Sequence, residues 1–249
     1  EIANQPHLPR QPYVGASSFA HKAGLHASAI QVNADLYQHI APELVGNDMR
    51  MLISNMSGRA SVQMKAAQFG LNLDDQELAS EITRTIKDRE AQGYSYEAAD
   101  ASFELLVRSM TGALTLPFKL INWRVHTSNG PTVGETDNSE ATLKLMAGGE
   151  RYGVIGEGNG PVNALGDALV RALTPVYPQV ADYQLTDYRV RILDEGRGTD
   201  AIVRVLIDTS DGEHGWTTVG VGTNVIEASW EALSDAYLYG LVRVPAVVG

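Results

Sequence analysis

GEGNGPVNALGDAL, residues 156 to 169, returns in altered form as GVGTNVIEASWEAL, residues 220 to 233. At a constant offset of 64 residues, the two stretches share the pairs Gly156/Gly220, Gly158/Gly222, Ala164/Ala228, Ala168/Ala232 and Leu169/Leu233. Upstream, INWRV at 121–125 is matched by TDYRV at 186–190. One module has therefore been duplicated within the chain. A duplicated module typically builds a symmetric sheet with a site on its pseudo-axis, which indicates binding before catalysis.

The spacing of apolar residues divides the chain into a helical part and a strand-rich part. Residues 74–91 carry Leu78, Ile82 and Ile86 four apart, which predicts a helix ending before Gly93, and residues 95–110 repeat the pattern. After Thr111 the apolar period falls from about 3.6 to 2, which predicts half-buried antiparallel strands, each set followed by a helix. The predicted fold class is α+β: helical and loop N-terminal subdomains, then a duplicated βββα domain.

We expect four regions. Residues 1–18 are predicted to be a connector, 19–73 a linker subdomain, 74–112 a helical subdomain and 113–249 the duplicated domain, with βββα modules at about 117–176 and 183–242. Three strands and one helix leave one face of each sheet uncovered. The uncovered faces predict a homodimer.

Composition excludes several classes of function. The 249 residues carry a formal net charge of −11 and no basic cluster, which argues against a nucleic-acid partner. No apolar run approaches the roughly 20 residues needed to span a bilayer, so no membrane partner is expected. The absence of cysteine excludes disulfides and thiolate metal sites and is compatible with a cytoplasmic location.

The two glycine-rich turns are candidate anion sites because each precedes a predicted helix. Gly160 and Asn224 are the expected N-caps, with Pro161 at the first helical position. The helix start attracts anions, but Glu157 and the antiparallel setting argue against phosphate and favour the carboxylate of an amino acid. The alternative is a tight strand-to-helix turn that binds nothing.

The spacing of the histidines matches no recognisable catalytic arrangement. His21 and His26 are five residues apart, which does not place both imidazoles on one helical face, so no metal site is expected in this chain. No nucleophile–base arrangement or carboxylate pair stands out. From spacing alone, the chain is predicted to be a binding module.

Four segments and the duplicated region nevertheless resemble a known family. YVGASSFAHKAGLHASAI at 13–30, LYQHIAPELVGN at 36–47 and SGR at 57–59 resemble the segment that follows the catalytic barrel in the 2-isopropylmalate, homocitrate and citramalate synthase family. GYSYEAADASFELL at 93–106 resembles the citramalate synthase branch, and the duplicated βββα region resembles the allosteric dimer domain of the family.

The resemblance implies an acyltransferase that condenses acetyl-CoA with a 2-keto acid, pyruvate for a citramalate synthase. The TIM barrel of the family, with its divalent metal and most substrate contacts, would precede Glu1, so these residues alone are expected to be inactive. A histidine and a tyrosine of the family reach the barrel of the neighbouring subunit and assist proton transfer. They correspond to His26 and Tyr37.

The resemblance also implies feedback inhibition by an end-product amino acid bound between the modules, with isoleucine as first choice. The matching effector positions are Gly160, Val162, Asn163, Leu185, Tyr188, Ile192, Asn224 and Ile226. Two alternatives stay open: a 2-isopropylmalate synthase with leucine as effector, or a dimerisation scaffold with no effector.

Overall fold

The chain forms two compact units, residues 1–92 and 93–249, in a computed structural model. The structure describes residues 8, 10–15, 17–22, 24–33, 36–37, 40–54, 57–128, 139–193 and 198–243. The predicted connector therefore lies partly outside the described residues. The boundaries expected after residues 18, 73 and 112 stay predictions. Along the chain, the first compact unit ends at Gln92 and the second begins at Gly93.

In its described residues, the first unit is helical with one small sheet. Its elements are β1 (Ala20–His21), α1 (Gly24–Val32), β2 (Arg50–Met51), α2 (Arg59–Gln68) and α3 (Gln76–Ala91). The helix predicted over residues 74–91 is confirmed as α3, with Ile82 and Ile86 buried. Asp75 caps it, because its Oδ1 accepts the backbone N–H of Glu77 at 2.8 Å.

The second unit contains both modules. Its elements are α4 (Asp100–Met110), β3 (Phe118–Thr127), β4 (Ser139–Ala147), β5 (Glu150–Gly158), α5 (Pro161–Leu173), β6 (Gln184–Ile192), β7 (Val203–Ser210), β8 (Gly215–Gly222) and α6 (Val225–Arg243). The helix expected from residue 95 begins later, at Asp100, because Tyr96 is buried in a turn against Phe103.

The predicted βββα duplication is confirmed. The described strands of the second unit form two antiparallel three-stranded sheets, β3-β4-β5 and β6-β7-β8, with no closed barrel among them. The similarity extends to an irregularity in the pairing: the register shifts between Leu120 and Asn122 in β3, and between Leu185 and Asp187 in β6. The fold class is therefore α+β.

The shared glycines and alanines of the repeat hold each helix against its own sheet. A Cβ atom on Gly156 would lie 2.7 Å from the Cα of Ala168, and one on Gly220 would lie 2.9 Å from the backbone N of Ala232. Real Cβ atoms do not approach other atoms so closely. Strand β5 can therefore pack on α5, and β8 on α6, only because Gly156 and Gly220 have no Cβ atom. Packing thus explains this part of the repeat without a ligand.

Strand β6 differs from the prediction of half-buried strands. All nine of its residues are exposed, because α6 packs over β7 and β8 and leaves β6 largely uncovered. Val190 pairs with the buried Val205, so the exposed side chain of Val190 points to the same side of the sheet as α6. The opposite face is polar: the Arg189 Nη2 and Asp208 Oδ1 atoms there are 2.7 Å apart.

The uncovered apolar surface therefore differs from the one expected. It lies beside α6 on β6, rather than on the back of the sheet.

None of the described helices is both long and apolar enough to cross a membrane.

Candidate functional site

A cavity of about 830 Å³ opens in the second unit where the two modules meet. Its walls come from the start of α5 in the first module, from the beginning of β6 in the second, and from the middle of α6. The lining residues are Asn159, Gly160, Pro161, Val162, Asn163, Gly166, Asp167, Val170, Gln184, Leu185, Tyr188, Leu233 and Tyr237. We call this cavity the inter-module pocket.

One end of the inter-module pocket is the positive end of α5. Gly160 is the N-cap, as predicted, and no side chain caps the helix. The first backbone bond of the helix runs from the Ala164 N–H to the Gly160 carbonyl oxygen at 3.0 Å. The N–H groups of Val162 and Asn163 precede it and have no carbonyl partner within the helix. Together with the helix dipole, they suit a carboxylate.

The remaining pocket wall is mainly apolar. Val162, Val170, Leu185 and Leu233 contribute aliphatic side chains. The aromatic rings of Tyr188 and Tyr237 complete the wall. A compact aliphatic group is therefore the chemistry that this wall accommodates.

The Tyr188 ring is held in place by a hydrogen bond, and burial keeps the Tyr237 phenol neutral. The Tyr188 hydroxyl lies 2.7 Å from the hydroxyl of Ser229 on α6, which fixes the ring against that helix. Burial, with a smaller contribution from Tyr183, raises the pKa of Tyr237 to about 12. A neutral phenol adds no charge to the apolar wall at physiological pH.

Asp167 places a carboxylate at the pocket wall, one helical turn beyond Asn163. Its Oδ2 accepts the Glu157 backbone N–H at 3.0 Å and lies 2.8 Å from Arg171 Nε. These partners orient the side chain. The pocket thus combines a positive helix start and a carboxylate, an arrangement that suits an amphoteric ligand better than a simple anion.

The structure brings five of the eight predicted effector residues together. Gly160, Val162 and Asn163 on α5 and Leu185 and Tyr188 on β6 all line the inter-module pocket. The other three predicted residues lie outside its lining: Ile192 at the far end of β6, and Asn224 and Ile226 at the start of α6.

Eight lining residues are not among the predicted effector positions: Asn159, Pro161, Gly166, Asp167, Val170, Gln184, Leu233 and Tyr237. Comparison of the two modules at the 64-residue offset could have drawn attention to Gly166, because it aligns with Trp230.

The two predicted proton-transfer residues lie together in the first unit. The ring centroids of His26, on α1, and Tyr37 are 4.2 Å apart. His21 lies edge-on to His26 with ring centroids 6.2 Å apart. Burial, and then the neighbouring His26, lowers the pKa of His21, which favours the neutral imidazole. The cluster places one exposed phenol beside a half-buried imidazole.

No group of three or more His, Asp or Glu residues in the described part of the chain could hold a metal ion.

Comparison with known sequences gives two family matches. Residues 97–241 match the family described as LeuA allosteric (dimerisation) domain. Residues 13–93 match the one described as homocitrate synthase post-HMGL domain-like. The two matches cover the second and first compact units almost completely.

Curated relatives carry the name (R)-citramalate synthase. The protein from Streptomyces coelicolor is 54% identical over 98% of this chain and 46% of its own length. The Synechocystis protein is 48% identical over 97% of this chain and 45% of its length, and the Geobacter sulfurreducens protein is 42% identical over 100% and 47%. The chain thus spans about half the length of the curated relatives it matches. It belongs to the LeuA allosteric (dimerisation) domain family, in the form that citramalate synthases carry.

Proposed function

We propose that the chain is the accessory and regulatory region of an acyltransferase that condenses acetyl-CoA with pyruvate to form citramalate. The names of the relatives support this activity, and the allosteric domain family supports a regulatory role. In this proposal, isoleucine binds in the inter-module pocket and inhibits the enzyme as the end product of its pathway.

The inter-module pocket carries the proposal. The uncapped start of α5 offers backbone N–H groups to the amino-acid carboxylate, and Asp167, which lines the same pocket, offers a carboxylate to the ammonium group. Leu185 and Val170 offer an apolar surface to a branched side chain. Each part of the ligand thus has a matching part of the wall.

Inhibition follows if the ligand binds one state of the enzyme more tightly than another. Occupancy of the pocket would then shift the population towards the less active state, and substrates would weaken isoleucine binding by the same factor. An affinity ratio between states of 5- to 150-fold, about 1–3 kcal/mol, is typical of such coupling.

A homodimer is the proposed assembly. The family description names a dimerisation domain, and Val190 and Ile192 expose 44% and 58% of their surface on β6. A second copy of the chain would remove this apolar surface from water, which is the driving force for such an interface.

His26 and Tyr37 are proposed to serve the condensation itself. A base must remove a proton from the acetyl methyl group, and proton transfer through positioned side chains is a common contribution to such steps. The contact between the imidazole and the phenol supports a shared role in holding or moving a proton.

Isothermal titration of the intact protein with isoleucine, leucine and valine tests the effector assignment. We expect saturable binding with isoleucine tightest. Tighter binding of leucine would favour the 2-isopropylmalate synthase alternative, and binding of none would overturn the effector site in favour of a scaffold.

A variant in the pocket separates regulation from scaffolding. Tyr188→Ala removes an aromatic wall of the pocket, so we expect isoleucine inhibition to weaken at least about 10-fold. Tyr152→Ala, the same truncation at a half-buried tyrosine of β5 outside the pocket lining, is the matched control. Unchanged inhibition in Tyr188→Ala would support the scaffold reading.

A further inference from the structure

The two modules differ at two glycines of the first one. At the 64-residue offset, Gly160 and Gly166 align with Asn224 and Trp230. Both glycines line the inter-module pocket. The differences therefore fall where the pocket is built.

Neither glycine is required by the backbone. Gly160 has φ −167°, an extended conformation that any residue adopts, and Gly166 lies inside helix α5, where glycine is a poor helix former. A Cβ atom added to either would meet no atom within 4 Å. Gly156 contrasts with them, because its neighbouring helix leaves no room for a side chain. The open space at Gly160 and Gly166 therefore needs another explanation than packing.

In the second module, Asn224 caps the start of the helix and Trp230 fills the corresponding space. The Asn224 Oδ1 accepts the backbone N–H of Ile226 at 2.8 Å, which satisfies one of the free N–H groups at the start of α6. The Trp230 ring lies 6.2 Å, centroid to centroid, from Trp123 on β3. Trp123 aligns with Tyr188 in the TDYRV match of the duplication. The indoles of Trp123 and Trp230 thus lie at the place that corresponds, in the duplication, to the inter-module pocket.

We infer that Gly160 and Gly166 are specificity-determining residues that keep one of two duplicated sites open. Gly160 leaves the N–H of Val162, the counterpart of Ile226, to the ligand carboxylate. Gly166 leaves the space of an indole to the ligand side chain. Asn224 and Trp230 close the second site, so each chain binds one ligand. The amino-acid identity of the ligand rests on the proposed function, whereas the closure of one site rests on the duplication.

Gly166→Trp tests the inference, because it gives the first module the tryptophan that closes the second site. We expect isoleucine, titrated into the intact protein by calorimetry, to bind the unaltered protein once per chain and Gly166→Trp at least 100-fold more weakly. Glu227→Trp is the matched control, since Glu227 is an exposed residue of α6 outside the pocket lining. Its affinity should stay within threefold of the unaltered protein.

Acrylamide quenching of fluorescence gives a readout that needs no ligand. The indole introduced in Gly166→Trp should be shielded, because it would seat in the cavity, and the one introduced in Glu227→Trp should be quenched freely. Equal, free quenching in both variants would overturn the inference. If the unaltered protein bound no amino acid, the proposed function would fail, and the quenching would still decide whether residue 166 faces the cavity.

Gly160→Asn covers the case in which Gly166→Trp does not fold. An asparagine there suits the extended N-cap geometry and should cap the Val162 N–H, so the melting temperature should hold or rise while isoleucine affinity falls at least 10-fold. Unchanged affinity in Gly160→Asn, retained affinity in Gly166→Trp, or two ligands per chain would each overturn the inference.

Discussion

At the scale of single residues, Gly156 sets how closely β5 approaches α5. Gly156→Ala would press its methyl group into the backbone at Ala164 and Ala168, so we expect it to lower the free energy of unfolding by about 3 kcal/mol, the upper end for overpacking. Gly160→Ala is the control, because nothing lies within 4 Å of its added Cβ. Urea unfolding of the two variants measures the difference, and equal stability would show that the helix shifts freely.

His26 and Tyr37 are the residues on which the proposed catalytic role depends. In the intact enzyme we expect His26→Ala to lower kcat by about 10²- to 10⁴-fold, the range for a proton-transfer group, and Tyr37→Phe to lower it less. His126→Ala, at an exposed position of β3, should leave kcat unchanged. Normal turnover by His26→Ala with pyruvate and acetyl-CoA would remove His26 from the mechanism.

At the scale of elements, α3 depends on its cap. Asp75 accepts the backbone N–H groups of Glu77 and Leu78 at 2.8 and 3.2 Å. Asp75→Ala should therefore lower the free energy of unfolding by about 1 kcal/mol. Asp74→Ala removes a neighbouring carboxylate that does not cap the helix, so it should cost less. Circular dichroism during denaturation compares them, and an equal loss would contradict the role of the cap.

The elements also show what sequence can and cannot predict. Helix α3 and the βββα repeat follow from local patterns, since apolar spacing and capping residues act within a few positions. The exposure of β6 does not, because it depends on how far α6 extends over the sheet. The family resemblance extended the predicted site to Asn224 and Ile226, which hold the same places in the second module as Gly160 and Val162 hold in the first by the symmetry of the duplication. The structure breaks that symmetry with one large side chain, Trp230, whose partner Trp123 lies 107 positions away in sequence.

At the scale of the whole molecule, the second unit should lose stability in alkali. Burial raises the pKa of Tyr183 and of Tyr237 to about 12. In the unfolded chain, tyrosine titrates near pH 10. Between about pH 10 and 12 the unfolded chain therefore releases protons that the folded chain retains, so stability falls as pH rises through this window and is undiminished by these groups below it.

Urea unfolding followed from about pH 8 to pH 12, beside the ultraviolet absorbance of phenolate, measures this dependence. Ionisation of every tyrosine near pH 10, with the fold intact, would contradict the buried, neutral state of Tyr183 and Tyr237.

The assembly is a second property of the whole molecule. Val190→Lys would place a charge within the apolar surface of β6, so we expect sedimentation equilibrium to show a dimer for the unaltered protein and a shift towards monomer for the variant. Arg191→Lys, on the polar face of the same strand, is the control. A stable dimer in Val190→Lys would place the interface elsewhere.

A crystal structure of the protein grown with isoleucine tests the central claim most directly. We expect one isoleucine per chain in the inter-module pocket, with its carboxylate on the N–H groups of Val162 and Asn163, its side chain over Gly166, and Trp123 and Trp230 still in contact. Isoleucine at the start of α6, or an empty pocket under saturating ligand, would contradict it.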